Sequence, residues 1–394
     1  MKKLELTICG CGNGAHACAV ILGSKGHAVN IYSPLKNEID LLRQSYSDNK
    51  LTAILPNNQE KTATLNKVTY DASEVIPDAS IIFIIVPSFA HANILRNIEP
   101  YISAASIIVT IPARSGFEYE ARKIISKGNI ICLQTLPWAC RIIEFGKLIE
   151  IKGSKIKIQA ATISSKLPNT IIFQLERLLE VKIVMLKNML TLTLGNIGQI
   201  IHPGIMYGLL KENPNVKFHK DNIPLFYQSV DDNIAKILAN VSKEIQNIAR
   251  NINNKLNGLV NAEEILTIDQ WLENSYGSLI KDNSSLSKMF RTNLAYQGLT
   301  LPVKKYNENM YISDLDTRYI TEDVPYGLLI TKSIAEMLNV STPQIDEILF
   351  SLGKWTGHNY IYDLKATKDM ASKSRVPEVF GINTLDDILA VYGQ

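Results

Sequence analysis

The chain has 394 residues, 46% of them hydrophobic and 20% charged, which is enough for two folded domains with apolar cores. A formal charge of only +3, with no basic stripe interleaved with aromatics, gives no footprint for nucleic acid. No apolar run reaches the length of a membrane span, since the nearest, 190–210, carries Asn196, Gln199, His202 and Pro203.

Lys2-Lys3 ahead of an apolar run imitates a signal peptide, but that run reads as the first strand of a nucleotide fold, so a cytoplasmic protein is expected. The strand from Leu4 runs into Gly10-Cys11-Gly12-Asn13-Gly14-Ala15, a G-x-G-x-x-A turn that opens an Ala-rich helix over 16–25. Gly10 permits the tight turn, Gly12 clears space for a pyrophosphate, and Ala15 allows close helix packing. The phosphates would meet unpaired N–H groups and the positive end of the helix dipole, which needs no basic side chain. Gly26 stops the helix and His27 to Ser33 alternate into a second strand. An NAD site usually carries Asp or Glu at that strand's end, whereas this chain has Ser33, with Lys36 beyond it. Ser33 and Lys36 suit a 2′-phosphate, and Lys36 suits equally a solvated helix start. The coenzyme therefore stays open between NADH and NADPH.

A helix is expected over 37–46, followed by extended pieces 51–55 and 61–69 that read as a hairpin insertion. Ile81 to Val86, stopped by Pro87, and Ser106 to Ile111, stopped by Pro112, read as strands buried on both faces, as does Asn129 to Leu133. Segments 87–91, 112–118 and 134–146 follow these strands, so they should line the ligand cleft, with Pro87 and His91 toward the cofactor. Lys147 to Ile151, Ile156 to Ala160 and Lys182 to Leu186 read as the far edge of the same sheet.

From about 189 helical periods dominate: 190–210, 228–254, 262–281, 284–296, 325–339 and 342–353. The expected fold is α/β, an N-terminal Rossmann-type doubly wound sheet over 1–188 followed by a C-terminal all-α domain over 189–394. A junction near 187–194 would create an interdomain cleft. The five cysteines, Cys9, Cys11, Cys18, Cys132 and Cys140, are odd in number and lie in the first half, which is no disulfide framework. A cation at Cys9 and Cys11 would occupy the phosphate space, so no metal is expected.

His202 places a group that titrates near neutrality in an otherwise apolar helix, where a satisfied core histidine and a catalyst are both open readings. In Asp316-Thr317-Arg318-Tyr319-Ile320-Thr321-Glu322-Asp323-Val324-Pro325 an arginine precedes two carboxylates. The segment also reads as a helix start, with Thr321 or Asp323 capping and Pro325 in the first turn.

With the glycine turn, Val86-Pro87-Ser88-Phe89-Ala90-His91, Gln134-Thr135-Leu136-Pro137-Trp138-Ala139-Cys140-Arg141-Ile142-Ile143-Glu144-Phe145-Gly146, Pro224-Leu225-Phe226-Tyr227-Gln228, Trp271, Thr317 to Pro325 and Gly381 to Asp386 in the same order, the chain resembles the opine dehydrogenases, and their octopine dehydrogenase branch in particular, over essentially its whole length. The resemblance implies reductive condensation of a 2-oxo acid, typically pyruvate, with the amine of an amino acid at the expense of reduced nicotinamide. It implies His202 with Asp323 as the acid–base pair and Arg318 as carboxylate anchor. Gln134, Thr135, Cys140, Arg114 and Trp271 are the expected substrate contacts. Trp271 and Trp138 read equally as core aromatics.

Two departures bear on the amine. The arginine-using branch has a glutamate where this chain has Gln134, and a neutral amide cannot balance a buried guanidinium, so arginine is expected to be a poor substrate. Arg114 stands where that branch carries an uncharged residue. It reads either as a holder for an acidic group of the amine or as a surface cation. Alanine, glycine, β-alanine or taurine are favoured. Rival readings are condensation with a larger polyacidic amine for metallophore assembly, as in staphylopine-like synthesis, a secondary-alcohol dehydrogenase, and a dinucleotide sensor without turnover. A monomer or homodimer is expected.

Overall fold

The computed structural model describes residues 2–46, 50–163, 167, 170–363, 365–367 and 373–392. They form two compact units, one of residues 1–113 and 120–186, the other of 114–119 and 187–394.

Among its described residues the first unit has twelve strands: β1 Glu5–Cys9, β2 Ala28–Tyr32, β3 Leu51–Ile54, β4 Glu60–Ala63, β5 Lys67–Thr69, β6 Ile81–Ile84, β7 Ile107–Thr110, β8 Asn129–Leu133, β9 Trp138–Glu144, β10 Leu148–Ser154, β11 Lys157–Thr162 and β12 Lys182–Met185. Its helices are α1 Asn13–Gly23, α2 Lys36–Ser45, α3 His91–Ile98, α4 Phe117–Ile124 and α5 Ile171–Leu179, the first three residues of α4 grouping with the second unit. The main sheet has the order β12-β11-β8-β7-β6-β1-β2-β5, parallel throughout except where β11 pairs antiparallel with β8. Its central strands β6 and β7 are wholly buried, as continuous Ile and Val runs require of a sheet covered on both faces. Between β1 and β6 the strand order reverses. That is the switch point where doubly wound sheets take ligands, and the glycine turn leaves β1 there.

Two expectations for this unit are corrected. Residues 61–69 are not one arm of a hairpin: β4 pairs antiparallel with β3, while β5 separates and joins β2 in parallel. Residues 138–154 are neither loop nor sheet edge, because β9 and β10 turn back on each other and join β3 in a second sheet of order β4-β3-β10-β9. The alternating burial of β10 marks a half-buried strand of this kind, unlike the continuous runs of the main sheet. Asn13 and His16 of α1 tie the helix to this second sheet. The Ile142 N–H donates to Asn13 Oδ1 at 2.8 Å and the Gly146 N–H to His16 Nε2 at 3.1 Å.

The second unit contains α6 Met189–Leu194, α7 Gly198–Leu210, α8 Asp232–Lys255, α9 Ile268–Tyr276, α10 Leu286–Thr292, α11 Arg318–Thr321, α12 Leu329–Leu338, α13 Pro343–Thr356 and α14 Leu385–Tyr392. Two small strand groups accompany them: β13 Lys217–His219, β14 Val303–Lys305 and β15 Met310–Ser313 in one, and a short pair at Ile361–Tyr362 and Lys365–Ala366 in the other. The long α8 follows the periodicity closely, with Ile234, Leu238, Val241, Ile245, Ile248 and Ile252 buried and Asp231 capping its start. The continuous helix expected over 190–210 breaks at Gly195-Asn196-Ile197.

Gly10 has φ of +128°, and a Cβ there would lie 2.4 Å from the Ile85 carbonyl oxygen. Gly10→Ala is therefore expected to cost about 2 kcal/mol or more, read as a lowered urea midpoint of the full chain. An unchanged midpoint would show that the turn tolerates a side chain.

Candidate active site

At the switch point the turn is shaped by open space. Gly12 precedes α1 in an extended conformation without a side-chain cap, and a Cβ on it would meet nothing within 4 Å. The first-turn N–H groups of α1 are thus not taken up by a capping side chain, and the position beside them is clear for a pyrophosphate. Gly14 and Ala15 are buried, and a Cβ on Gly14 would come within 2.7 Å of the Leu136 side chain. These residues fit a dinucleotide through backbone and shape. Ser33 is buried at the end of β2 and donates to Glu38 Oε2 at 2.8 Å, so α2 delivers a carboxylate to the position where the strand itself has none. Lys36 is exposed and turns to the Tyr70 ring, 5.8 Å from its centroid. Pro87 is half-buried after β6, and His91 is buried at the start of α3.

The other residues expected in this unit are enclosed. Gln134 is 3% exposed and gives its amide N–H to Gln159 Oε1 at 2.9 Å, across the junction of β8 and β11. That placement makes it part of the sheet and leaves little surface for a ligand. Thr135 is half-buried just beyond it, Cys140 is half-buried on β9, and Trp138 belongs to the core. All five thiols are free, and burial pushes those of Cys11 and Cys140 up to about 12, so they are inert small apolar groups. No cluster able to hold a metal occurs among the described residues.

The second unit gathers the charged groups. His202 on α7 directs Nδ1 to Asp323 Oδ2 at 2.6 Å and Nε2 to the Tyr227 hydroxyl at 3.1 Å. Its ring lies flat on Tyr319, with centroids 4.1 Å apart and planes 11° from parallel. Asp323 is 2% exposed, and its other oxygen meets Arg114 Nη1 at 2.9 Å. Arg114 also donates to Asn196 Oδ1 at 3.1 Å, and its Nε lies 3.8 Å from Glu322 Oε1. Glu322 takes both Nε and Nη2 of Arg318 on its other oxygen, at 2.7 and 2.6 Å. Arg318 remains 56% exposed, with one edge of the guanidinium held and the other available.

Local backbone explains this convergence. After α11 the chain widens into i→i+5 bonding, Leu328 N–H to the Asp323 carbonyl at 3.0 Å, a turn that recurs at functional sites. The Asp323 side chain makes no cap to the turn that follows it, contrary to one sequence expectation, because its carboxylate is committed to His202 and Arg114. Arg114 has φ of +57°, a left-handed conformation costly for a side-chain-bearing residue. Ser115 and Gly116 hold it there through hydrogen bonds to Thr193 and the Tyr326 carbonyl, and Glu118 through the Tyr392 hydroxyl. The surface-cation reading of Arg114 is therefore corrected: the side chain is 12% exposed and ion-paired. Trp271 is 4% exposed and packs edge-on to Tyr276, 5.9 Å between centroids, as a core aromatic.

The description "NAD/NADP octopine/nopaline dehydrogenase, alpha-helical domain" matches residues 185–353, and that of the NAD-dependent glycerol-3-phosphate dehydrogenase N-terminus matches residues 5–132. An opine dehydrogenase of Haliotis discus hannai is 32% identical, with 99% of each chain covered. The chain belongs to the opine dehydrogenase family. A tauropine dehydrogenase of Arabella iricolor is 30% identical over 98% of this chain and 99% of its own. A structure of octopine dehydrogenase with NADH and L-arginine has a TM-score of 0.85 at 28% identity, covering 100% of this chain and 98% of that one. Opine dehydrogenases are NAD(P)-dependent oxidoreductases acting on CH–NH donors, and this chain is one of them. No helix among the described residues is long and apolar enough to cross a membrane.

Within this opine dehydrogenase, sequence reasoning missed the roles of Glu38, Asn196, Gly198, Tyr227, Tyr319 and Glu322 at these two sites. Gly198 had a readable signal only in retrospect: a Cβ there would approach Arg114 Nη1 to 2.0 Å and Asp323 Oδ1 to 2.6 Å. Burial alone would raise the Asp323 carboxyl, but Arg114 first and His202 second outweigh it and hold it below its usual value of 3.8. A carboxylate depressed in the folded state contributes stability above its unfolded value, and that contribution is lost as pH falls through the folded one. Asp323→Asn should therefore be less stable than the parent at pH 7, with the difference in urea midpoint narrowing below about pH 4. A difference that stays constant down to pH 2 would remove this electrostatic account.

Proposed function

We propose that the chain condenses pyruvate with the amine of an amino acid and reduces the resulting imine, giving an N-(1-carboxyethyl) amino acid. The 2.6 Å His202 to Asp323 contact carries this reading, because amine addition and loss of water both need a proton moved near neutral pH. Asp323 as an anion accepts only, so it fixes the Nδ1–H form of a neutral imidazole and stabilises the charged ring. His202 then takes a proton from the attacking nitrogen and returns one to the departing hydroxyl, which leaves as water. Bound NADH or NADPH supplies the hydride to the imine carbon. Arg318, held from one edge by Glu322, presents its remaining edge to the oxo acid's carboxylate and fixes the carbon in position.

The amine is proposed to be neutral or acid-bearing and not arginine. Around His202 the cations Arg114 and Arg318 are matched by Glu322 and Asp323, so a further guanidinium would arrive uncompensated. Arg114 in turn offers attraction to a carboxylate or sulfonate on the amine. For the coenzyme, Glu38 on Ser33 favours NADH, since a carboxylate suits a ribose hydroxyl and repels a 2′-phosphate.

NADH oxidation should require pyruvate together with an amine, and alanine, glycine, β-alanine or taurine should outpace arginine. Oxidation with pyruvate alone would point instead to a secondary-alcohol dehydrogenase. His202→Ala and Arg318→Ala should each lower turnover by about a hundredfold or more, with coenzyme affinity by fluorescence titration unchanged. Glu38→Gln should move the NADPH to NADH ratio of kcat/KM upward by about tenfold. A fixed ratio would assign coenzyme choice elsewhere.

A further inference from the structure

Tyr227 lies in the segment Pro224 to Gln228, which the resemblance to the opine dehydrogenases includes, and its hydroxyl meets His202 Nε2. We propose that Tyr227 is a positioning residue that governs the substrate-side nitrogen of His202. It holds Nε2 as an acceptor in the neutral ring and receives the proton's hydrogen bond when the ring is charged. The proposal rests on the assignment of His202 as the acid–base group.

Both ring nitrogens are engaged from fixed positions. Because anionic Asp323 can only accept, Nδ1 carries the hydrogen of the neutral imidazole and Nε2 is left with its lone pair. At 3.1 Å the Tyr227 hydroxyl must then donate to Nε2. The one lone pair of Nε2 faces the hydroxyl, so the phenolic O–H rotates away before the ring takes up a proton there, and its oxygen then accepts from the N–H. No heavy atom need move, and neither protonation state leaves a ring nitrogen bare. A hydroxyl can serve both states in place because it both donates and accepts.

The tyrosine is held rigidly enough for this. Phe226 N–H donates to the Leu299 carbonyl at 2.7 Å, Leu301 N–H donates to the Pro224 carbonyl at 2.8 Å, and Asp231 caps α8 just beyond. The Tyr227 ring stacks on Tyr296 at 4.0 Å and 14°, and Phe226 meets it edge-on at 4.9 Å. The charged and titratable groups about the imidazole are Asp323 at Nδ1, Tyr227 at Nε2 and Tyr319 on its face, with Arg114, Glu322 and Arg318 behind Asp323. Of these, Tyr227 alone is bonded to Nε2.

The hydrogen bond accepted from a charged ring is the stronger of the two, so loss of the hydroxyl penalises the imidazolium more than the neutral form. In the full chain, Tyr227→Phe keeps the stacked ring and removes only the oxygen. Its kcat with pyruvate and the preferred amine should fall about tenfold with KM for pyruvate within about twofold. The acid-side fall of its pH profile should move down by about one unit. A merely structural role would lower the melting temperature and leave that profile in place.

Histidine-labelled ¹⁵N NMR of wild type and variant reads the same point without turnover. His202 in the neutral wild type should show Nδ1 protonated and Nε2 as a hydrogen-bonded acceptor. In Tyr227→Phe the Nε2 resonance should move toward that of a free ring nitrogen. A protonated Nε2 in the neutral wild-type ring would overturn the proposal even if the variant failed to fold, as would an unshifted resonance and an unshifted pH profile in a folded variant. If wild type lacks the condensation activity while the NMR result holds, the reaction assignment fails and the positioning of Nε2 stands.

Discussion

The second unit depends on one shared carboxylate. Asp323 gives one oxygen to His202 and the other to Arg114, and burial makes both commitments obligatory, because an ionised carboxyl enclosed by protein must be paired. Each neighbour reads as a consequence. Arg114 needs a left-handed backbone to reach it, Gly198 needs to lack a side chain to admit Arg114, and Asn196 occupies the break between α6 and α7 so that its oxygen accepts from the same Nη1 that meets Asp323. Removing the carboxylate would leave a buried cation and an imidazole without orientation. Removing Arg114 would leave Asp323 to His202 alone, increasing its pull on a proton at Nδ1.

The first unit solves its own recognition problem with almost no side-chain chemistry. The position proposed for the phosphates, at Gly12, is an uncapped helix start with no Cβ, while the polar side chains nearby are spent internally. Asn13 and His16 fasten α1 to the second sheet, and Gln134 joins β8 to β11. A site made of backbone reports the ligand class through spacing and little else. A site made of side chains, as around Asp323, reports chemistry and substrate.

This difference explains what the sequence disclosed. The glycine turn, the buried Ile and Val runs and the amphipathic α8 were legible because local geometry dictates both residue type and period. The roles expected of His202, Arg318 and Asp323 came from the family resemblance, and the structure brings the three side chains together. The pairing of residues 138–154 into a separate sheet was not, since a half-buried strand and a loop of mixed polarity look alike until the partner strand β3 is known. Glu38 was missed because the carboxylate at the end of β2 arrives from the next helix, five residues later than the usual position. Arg114 and Tyr227 were misweighed because their partners lie 209 and 25 residues away, at Asp323 and His202. No periodicity encodes such separations.

Substrate preference is proposed to be set around the proton-transfer group and not within it. In the proposed mechanism His202, Asp323 and Arg318 would perform steps that any amine and oxo acid share, so changes there would cost rate without redirecting it. Arg114, Asn196 and Gly198 surround that core without being required by the proton chemistry, and they interlock sterically: the space for one guanidinium exists because its neighbour is glycine. A change of amine by substitution at Arg114 alone would leave a cavity beside Gly198 and an uncompensated Asp323. Exchange of Arg114 and Gly198 together would fill the space but still has to supply a partner for the carboxylate. Selectivity is therefore expected to be a property of the group, whose members should couple strongly in double-mutant cycles.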